Sequence, residues 1–117
     1  MNLETIAREL GLESLTPGLT GADEVEVAGG YASDLLSDVL ANAPEGGVLV
    51  TLQVHLNVIA VASHADLGGV IFTSGRRPEP DVIERAIAEE LHLYVTPADT
   101  FDVVGRLYAR GVKGREA

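Results

Sequence analysis

The chain has no cysteine, no tryptophan, one methionine and only 4% aromatic residues in a length of 117. The missing thiols exclude disulfides, thiolate nucleophiles, and iron–sulfur or zinc–thiolate sites together. The scarcity of aromatics leaves the core to Val, Leu, Ile and Ala, which dominate a hydrophobic content of 46%. Lysine is nearly absent as well. Lys113 is the single one, close to the C-terminus, so neither a Schiff-base lysine nor a phosphate-cradling P-loop lysine is expected. No G-x-x-x-x-G-K-[ST] occurs, which excludes a P-loop kinase. Positive charge is sparse, with 8 Lys+Arg against 18 Asp+Glu and a net charge of −10. That balance argues against nucleic acid or an anionic membrane as the main partner. No apolar run reaches membrane-spanning length. The opening MNLETIARELG is amphipathic and carries acids, unlike a signal peptide. These features predict a soluble cytoplasmic protein.

What the chain does have is a repeated strand signal. GGVLVT ends at Thr51, GGVIFT at Thr73 and LHLYVT at Thr96, each about one helix from the next, and EVEVAGG ends at Gly30 one such step earlier. This is the rhythm of a parallel α/β sheet. The length suits one domain with a real core and is too short for two. We therefore expect a single three-layer α/β domain with a mostly parallel sheet of at least four strands, near 24–28, 48–52, 69–73 and 92–96. The last three, uninterrupted and apolar, should be central and dry. An N-terminal helix and connector occupy 1–23, the core 24–110, and a polar, frayed tail 111–117.

Helix signals fill the gaps. Leu3, Ile6, Ala7 and Leu10 share a helical face, with Asn2 as N-cap and Gly11 as the stop. Leu12 to Asp23, with Pro17, Gly18 and Gly21, is a connector. Ser33 or Asp34 caps a helix ending near Asn42–Pro44, where Pro44 cannot continue it. Asn57 caps a segment that is apolar nearly all round. Pro80 to Glu90 is amphipathic, and Asp99 or Thr100 caps the last helix, which Gly111 ends. The glycine pairs at 46–47 and 68–69 let helix turn tightly into strand.

In such sheets ligands sit beyond the carboxyl ends of the strands. The polar turns there define a candidate binding edge for a small anion: Gly29, Gly30, Ser33, Thr51, Gln53, Thr73, Ser74, Gly75, Arg76, Arg77 and Thr96. Each turn feeds a helix N-terminus with free N–H groups, and Arg76–Arg77 is an adjacent cation pair able to bind phosphate or carboxylate. The bland alternative is a surface pair offsetting Glu79, Asp81 and Glu84. Asp34 and Asp38, four apart, form an acid–base or metal cluster with His55 only if Asp34 is not simply a cap. His55, His64 and His92 lack ligand spacing, so no metal, cofactor or catalytic residue is assigned.

The runs GGYASDLLSDVLANAPEGGVLVTLQVHLNVIAVASHADLGGVIFTSGRRPEPDVIERA and LYVTPADTFDVVGRLY resemble the DRTGG domain family, from LETIARELGLE to Tyr108. The most specific stretches are Gly30 with SDLLSDVLANAPEG, and TSGRRP, which stands nearest to the motif that names the family without spelling it out. The resemblance implies a fold similar to the N-terminal, non-catalytic domain of HPr kinase/phosphorylase. Members occur alone, between CBS domain pairs in inorganic pyrophosphatases, and attached to phosphotransacetylases, and stand-alone members accompany iron-hydrogenase genes. The implied role is regulatory.

Three classes of function follow. The first is a non-catalytic regulatory module binding a nucleotide or other phosphorylated small molecule. The second is a structural dimerisation partner within a larger complex, and the third a small enzyme acting on a phosphorylated substrate. A homo-oligomer is expected, with its contact near Val58, Ile59, Val61 and Ala62, because that helix shows no wet face before Ser63–His64. The alternative cover is the connector, through Leu15 and Leu19.

Overall fold

The computed structural model describes residues 1–115. The elements, in order, are α1 (Leu3–Leu10), β1 (Glu13–Ser14), a 3-10 turn (Ala22–Glu24), β2 (Gly30–Ala32), α2 (Leu36–Asn42), β3 (Val48–Thr51), α3 (Asn57–His64), β4 (Gly69–Phe72), α4 (Pro80–Ala88), β5 (His92–Val95) and α5 (Thr100–Ala109). The sheet order is β1-β5-β4-β3-β2. The last four strands are parallel and lie side by side in chain order, while β1 runs antiparallel on the far side of β5.

That order has a direct consequence for layering. Successive right-handed crossovers between neighbouring strands all fall on one face, so α2, α3 and α4 cover the same side. Val39, Val58, Ile59, Ala62, Val82 and Ala86 meet Leu49, Val70, Phe72, Leu93 and Val95 there. The alternate strand residues Val48, Val50, Ile71 and Tyr94 face the other side, where α1 and α5 supply Leu3, Ile6, Leu10, Val103 and Leu107. The result is a three-layer sandwich. β3, β4 and β5 are buried at every position, as uninterrupted apolar strands should be.

Four expectations are corrected. The first parallel strand lies at 30–32 and not at 24–28. Val25 and Val27 do alternate inward against Glu24 and Glu26, but their partner is the chain's own N-terminus: Leu3 N donates to Val25 O at 2.9 Å and Val27 N to Met1 O at 3.1 Å. The connector contributes a strand, β1, paired to β5 through Glu13↔Val95. The segment after α5 is held in place up to Arg115: Val112 is buried and Lys113 O accepts from Gly30 N at 2.9 Å. The frayed end expected at 116–117 lies outside the described residues. Finally, α3 does not need a partner to hide it. Val58, Ile59 and Ala62 are fully buried between α2, α4 and the sheet, so three of the four expected contact residues are unavailable. Among the apolar residues of α3, Ala60 and Val61 keep some access, beside Leu40 and His64.

Candidate functional site

The carboxyl edge is where the sequence pointed, and its chemistry is largely spent on itself. Thr51 is buried; its Oγ1 donates to Asp34 Oδ1 at 2.9 Å and accepts from Gln53 N at 3.0 Å. Asp34 also accepts from Leu52 N at 2.7 Å, so it ties two loops together and caps no helix. Neither expected residue caps α2, whose N-cap position is Leu35 with no side-chain cap; Ser33 Oγ accepts from Leu35 N at 3.2 Å in the turn just before it. Thr73 Oγ1 shares a 2.7 Å hydrogen bond with Thr100 Oγ1, and Thr96 Oγ1 accepts from Ala98 N at 3.3 Å.

Backbone donors are also occupied. Ser74 N and Gly75 N bond Ala98 O and Thr96 O, both at 2.8 Å. These bonds close the crevice formed because the chain leaves β4 toward α4 on one face and β5 toward α5 on the other. Two helix starts are bonded as well: Leu56 and not Asn57 stands at the N-cap of α3, where His55 Nδ1 accepts from Asn57 N at 3.0 Å, and Asp99 caps α5 by accepting from Asp102 N at 2.8 Å.

The two arginines part company. Arg77 forms a bidentate pair with Glu13, at 2.6 and 2.9 Å, and staples the α4 loop to β1. That contact holds the Glu13 carboxyl below its ordinary range. Arg76 is exposed and has no side-chain partner among the described residues. It follows Ser74 and Gly75, both with positive φ, 55° and 67°. Gly29 and Gly30 sit at the opposite, amino end of the sheet, where Gly29 O accepts from Val48 N. They do not belong to this edge.

Asp34 and Asp38 are not brought together. Asp38 accepts from Asn42 and from the Tyr31 hydroxyl, the latter at 2.8 Å. Bonds led by Asn42 lower its pKa, and Asp38 in turn raises that of Tyr31. Among the described residues no group of three or more His, Cys, Asp or Glu is placed to hold a metal.

Two concave regions lie elsewhere. The larger is a polar groove of about 620 Å³ between α1, the connector and β5, bordered by Glu4, Arg8, Ser14, Thr16, Thr20, Asp23, His92 and Tyr94. Strand alternation sends His92 and Tyr94 to the α1 face, where Tyr94 packs in the cluster that holds Leu3, Ile6 and Leu10 and both residues border the groove. They are 6% and 5% exposed. Neither side chain has a hydrogen-bond partner among the described residues, yet no side-chain nitrogen or oxygen is both fully enclosed and unsatisfied. Their polar ends therefore open onto the groove. Burial pushes the His92 pKa down, and burial followed by Glu4 pushes that of Tyr94 up. Near neutral pH the floor thus offers a neutral imidazole and a protonated phenol. Thr16 supports it from beneath, its Oγ1 accepting from Leu93 N at 3.2 Å.

The second region is an apolar recess of about 300 Å³ between the outer edge of β2 and α5.

The fold matches a crystal structure of the CBS and DRTGG domains of the regulatory region of Clostridium perfringens pyrophosphatase, complexed with its activator diadenosine tetraphosphate. The TM-score is 0.69 at 18% identity, over 96% of this chain and 47% of that one. The chain thus spans about half the length of its structural relative, and the two share a fold. No family model and no curated protein matches the sequence. No helix among the described residues is long and apolar enough to cross a membrane.

Sequence reasoning missed the groove because its parts are distant in the chain. Arg8 lay on a surface helix, His92 looked like a strand start, and Tyr94 looked like core. The one available signal was parity: His92 and Tyr94 are the polar residues on one side of an otherwise apolar strand.

Proposed function

We propose that this chain is a non-catalytic regulatory domain of the DRTGG type, which binds a small polar molecule in the groove between α1, the connector and β5. The observation that carries this reading is the pair His92 and Tyr94, nearly buried and without internal partners, facing a space of ligand size. Their polar ends open onto the groove without protein partners, so a ligand with matching donors and acceptors can pair with both. The rim selects further. Arg8 offers one cation, while Glu4 and Asp23 stand beside it, which suits a ligand with one anionic group better than one with several. A nucleoside or nucleoside monophosphate has that character, with ring edges for His92 and Tyr94 and a phosphate for Arg8. The nucleotide activator in the fold relative supports the ligand class. The setting we propose is the one the sequence resemblance implies, beside an iron-hydrogenase system.

The test is a thermal-shift and calorimetric series with nucleosides and with their mono- and polyphosphates. Tyr94→Phe should weaken binding about 3–10-fold, and Arg8→Ala should weaken monophosphates about tenfold while sparing nucleosides. A second reading keeps the ligand at the carboxyl edge, favoured by the unpaired Arg76 beside Ser74–Gly75. The double substitution Arg76→Ala, Arg77→Ala decides between them: unchanged affinity keeps the groove, and lost affinity moves the site. If no small molecule stabilises the protein, the binding reading falls and a structural dimerisation partner takes its place.

A further inference from the structure

Helix α5 carries two features that nothing inside the chain explains. Phe101 is 91% exposed. Gly105, four residues on, stands mid-helix with a negative φ, and a side chain there would meet nothing within 4 Å. Glycine in a helix interior is destabilising, and an isolated surface phenylalanine of this exposure gains nothing from water. Both lie on the outward face with Tyr108 and Ala109, which are also exposed, at the spacing of one helical stripe. Along the flank of that stripe runs the apolar recess, walled by Gly30, Tyr31, Val50, Val104, Leu107 and Val112.

We infer that α5 docks against α5 of a second copy of this chain, crossing at Gly105 and seating the partner's Phe101 over this recess. Two features favour a second copy as the occupant. A two-fold pair centred on Gly105 can run parallel or antiparallel, and the charges below select the antiparallel one, in which residues four before Gly105 stand level with residues four after it and the partner's Phe101 lies beside Ala109, next to Tyr108 and the recess. The missing side chain at Gly105 lets the two backbones approach at the axis. Charge is also self-complementary. The start of α5 carries the exposed Asp99, its N-cap, and Asp102, and the segment beyond its end carries exposed Lys113 and Arg115. An antiparallel pair brings the acidic end of each helix to the basic end of the other. Lys113 already caps the rim of the recess, its Nζ 3.7 Å from the Tyr108 ring centre. This contact is on the opposite layer from α3 and independent of the ligand groove.

Sedimentation velocity on the full chain should give twice the mass of 12.3 kDa. Phe101→Ser and Gly105→Leu should each weaken the dimer by roughly tenfold or more, with an unchanged far-ultraviolet circular dichroism spectrum, since neither side chain has neighbours within the chain. Ala60→Glu, on α3, should leave the dimer intact. A monomeric wild type at high concentration overturns the proposal. So does a dimer that survives both α5 substitutions, or one that Ala60→Glu dissociates.

Discussion

His92 illustrates how one residue can look unremarkable in sequence and consequential in space. Its position at the start of an apolar strand marks it as core, and it is core except for the part of the ring that meets the groove. The surrounding protein disfavours the imidazolium, so the folded-state pKa falls below the ordinary value. The sign of the pH effect follows from linkage. The unfolded chain binds a proton at His92 more readily than the folded one, so this contribution to stability is complete above about pH 6.5 and is lost as the pH falls below it. Wild type should therefore lose more melting temperature between pH 7 and pH 5.5 than His92→Gln, which has no proton to take up there. Parallel curves for the two proteins would show that His92 is not desolvated in solution. The threonines at 51, 73 and 96 teach the converse. Their position at strand ends marks them as ligand contacts, but the hydroxyls of Thr51 and Thr96 bond their own loops and that of Thr73 bonds Thr100 at the start of α5. A strand-end hydroxyl that can reach its own loop is already satisfied, and its residue type gives no hint of that. Gly47 was legible: a Cβ there would stand 2.8 Å from Pro44 O, so the tight entry into β3 requires glycine.

Among elements, α3 shows where composition misleads. Its run of apolar side chains suggests a helix exposed unless a partner covers it. The alternative of a folded-over connector was nearer, since Leu15 packs against the same core, but the main cover comes from α2 and α4. Placing three crossover helices side by side on one face makes the middle helix a buried one. That depends on strand order, which hydrophobic periodicity does not encode. The distinction is measurable. Ile59→Ala should cost about 2–5 kcal/mol in urea denaturation, as truncation of a fully buried side chain does. Ala60→Glu, at an exposed position, should fall within about 0.5 kcal/mol of wild type. Equal effects would mean that α3 is oriented otherwise. The three central strands were legible because burial on both faces writes itself as an unbroken apolar run. β1 and β2 were not, since two and three residues on a sheet edge are too few to set a period.

At the scale of the whole molecule, fold class and layering could be read from the spacing of GGVLVT, GGVIFT and LHLYVT, while the concave surface could not, because it forms where the connector returns across β5. Net charge, however, is fixed by sequence, and it bears on what the groove admits. The chain carries −10, and two of the three charged residues at the groove rim, Glu4 and Asp23, are acids. A polyphosphate approaching that rim meets repulsion from the molecule as a whole, with Arg8 as local attraction. Exposed charges at such distances are screened over about 10 Å at 0.1 M salt. Raising salt from low ionic strength should therefore help a polyphosphate more than a monophosphate, whose single charge is balanced by Arg8, and should leave an uncharged nucleoside nearly unaffected. Calorimetric titrations of the three ligand types at low and moderate salt measure that order. Polyphosphate affinity that falls steeply with salt would indicate a cation-rich site, one that the groove does not provide, and would redirect attention to Arg76 at the carboxyl edge.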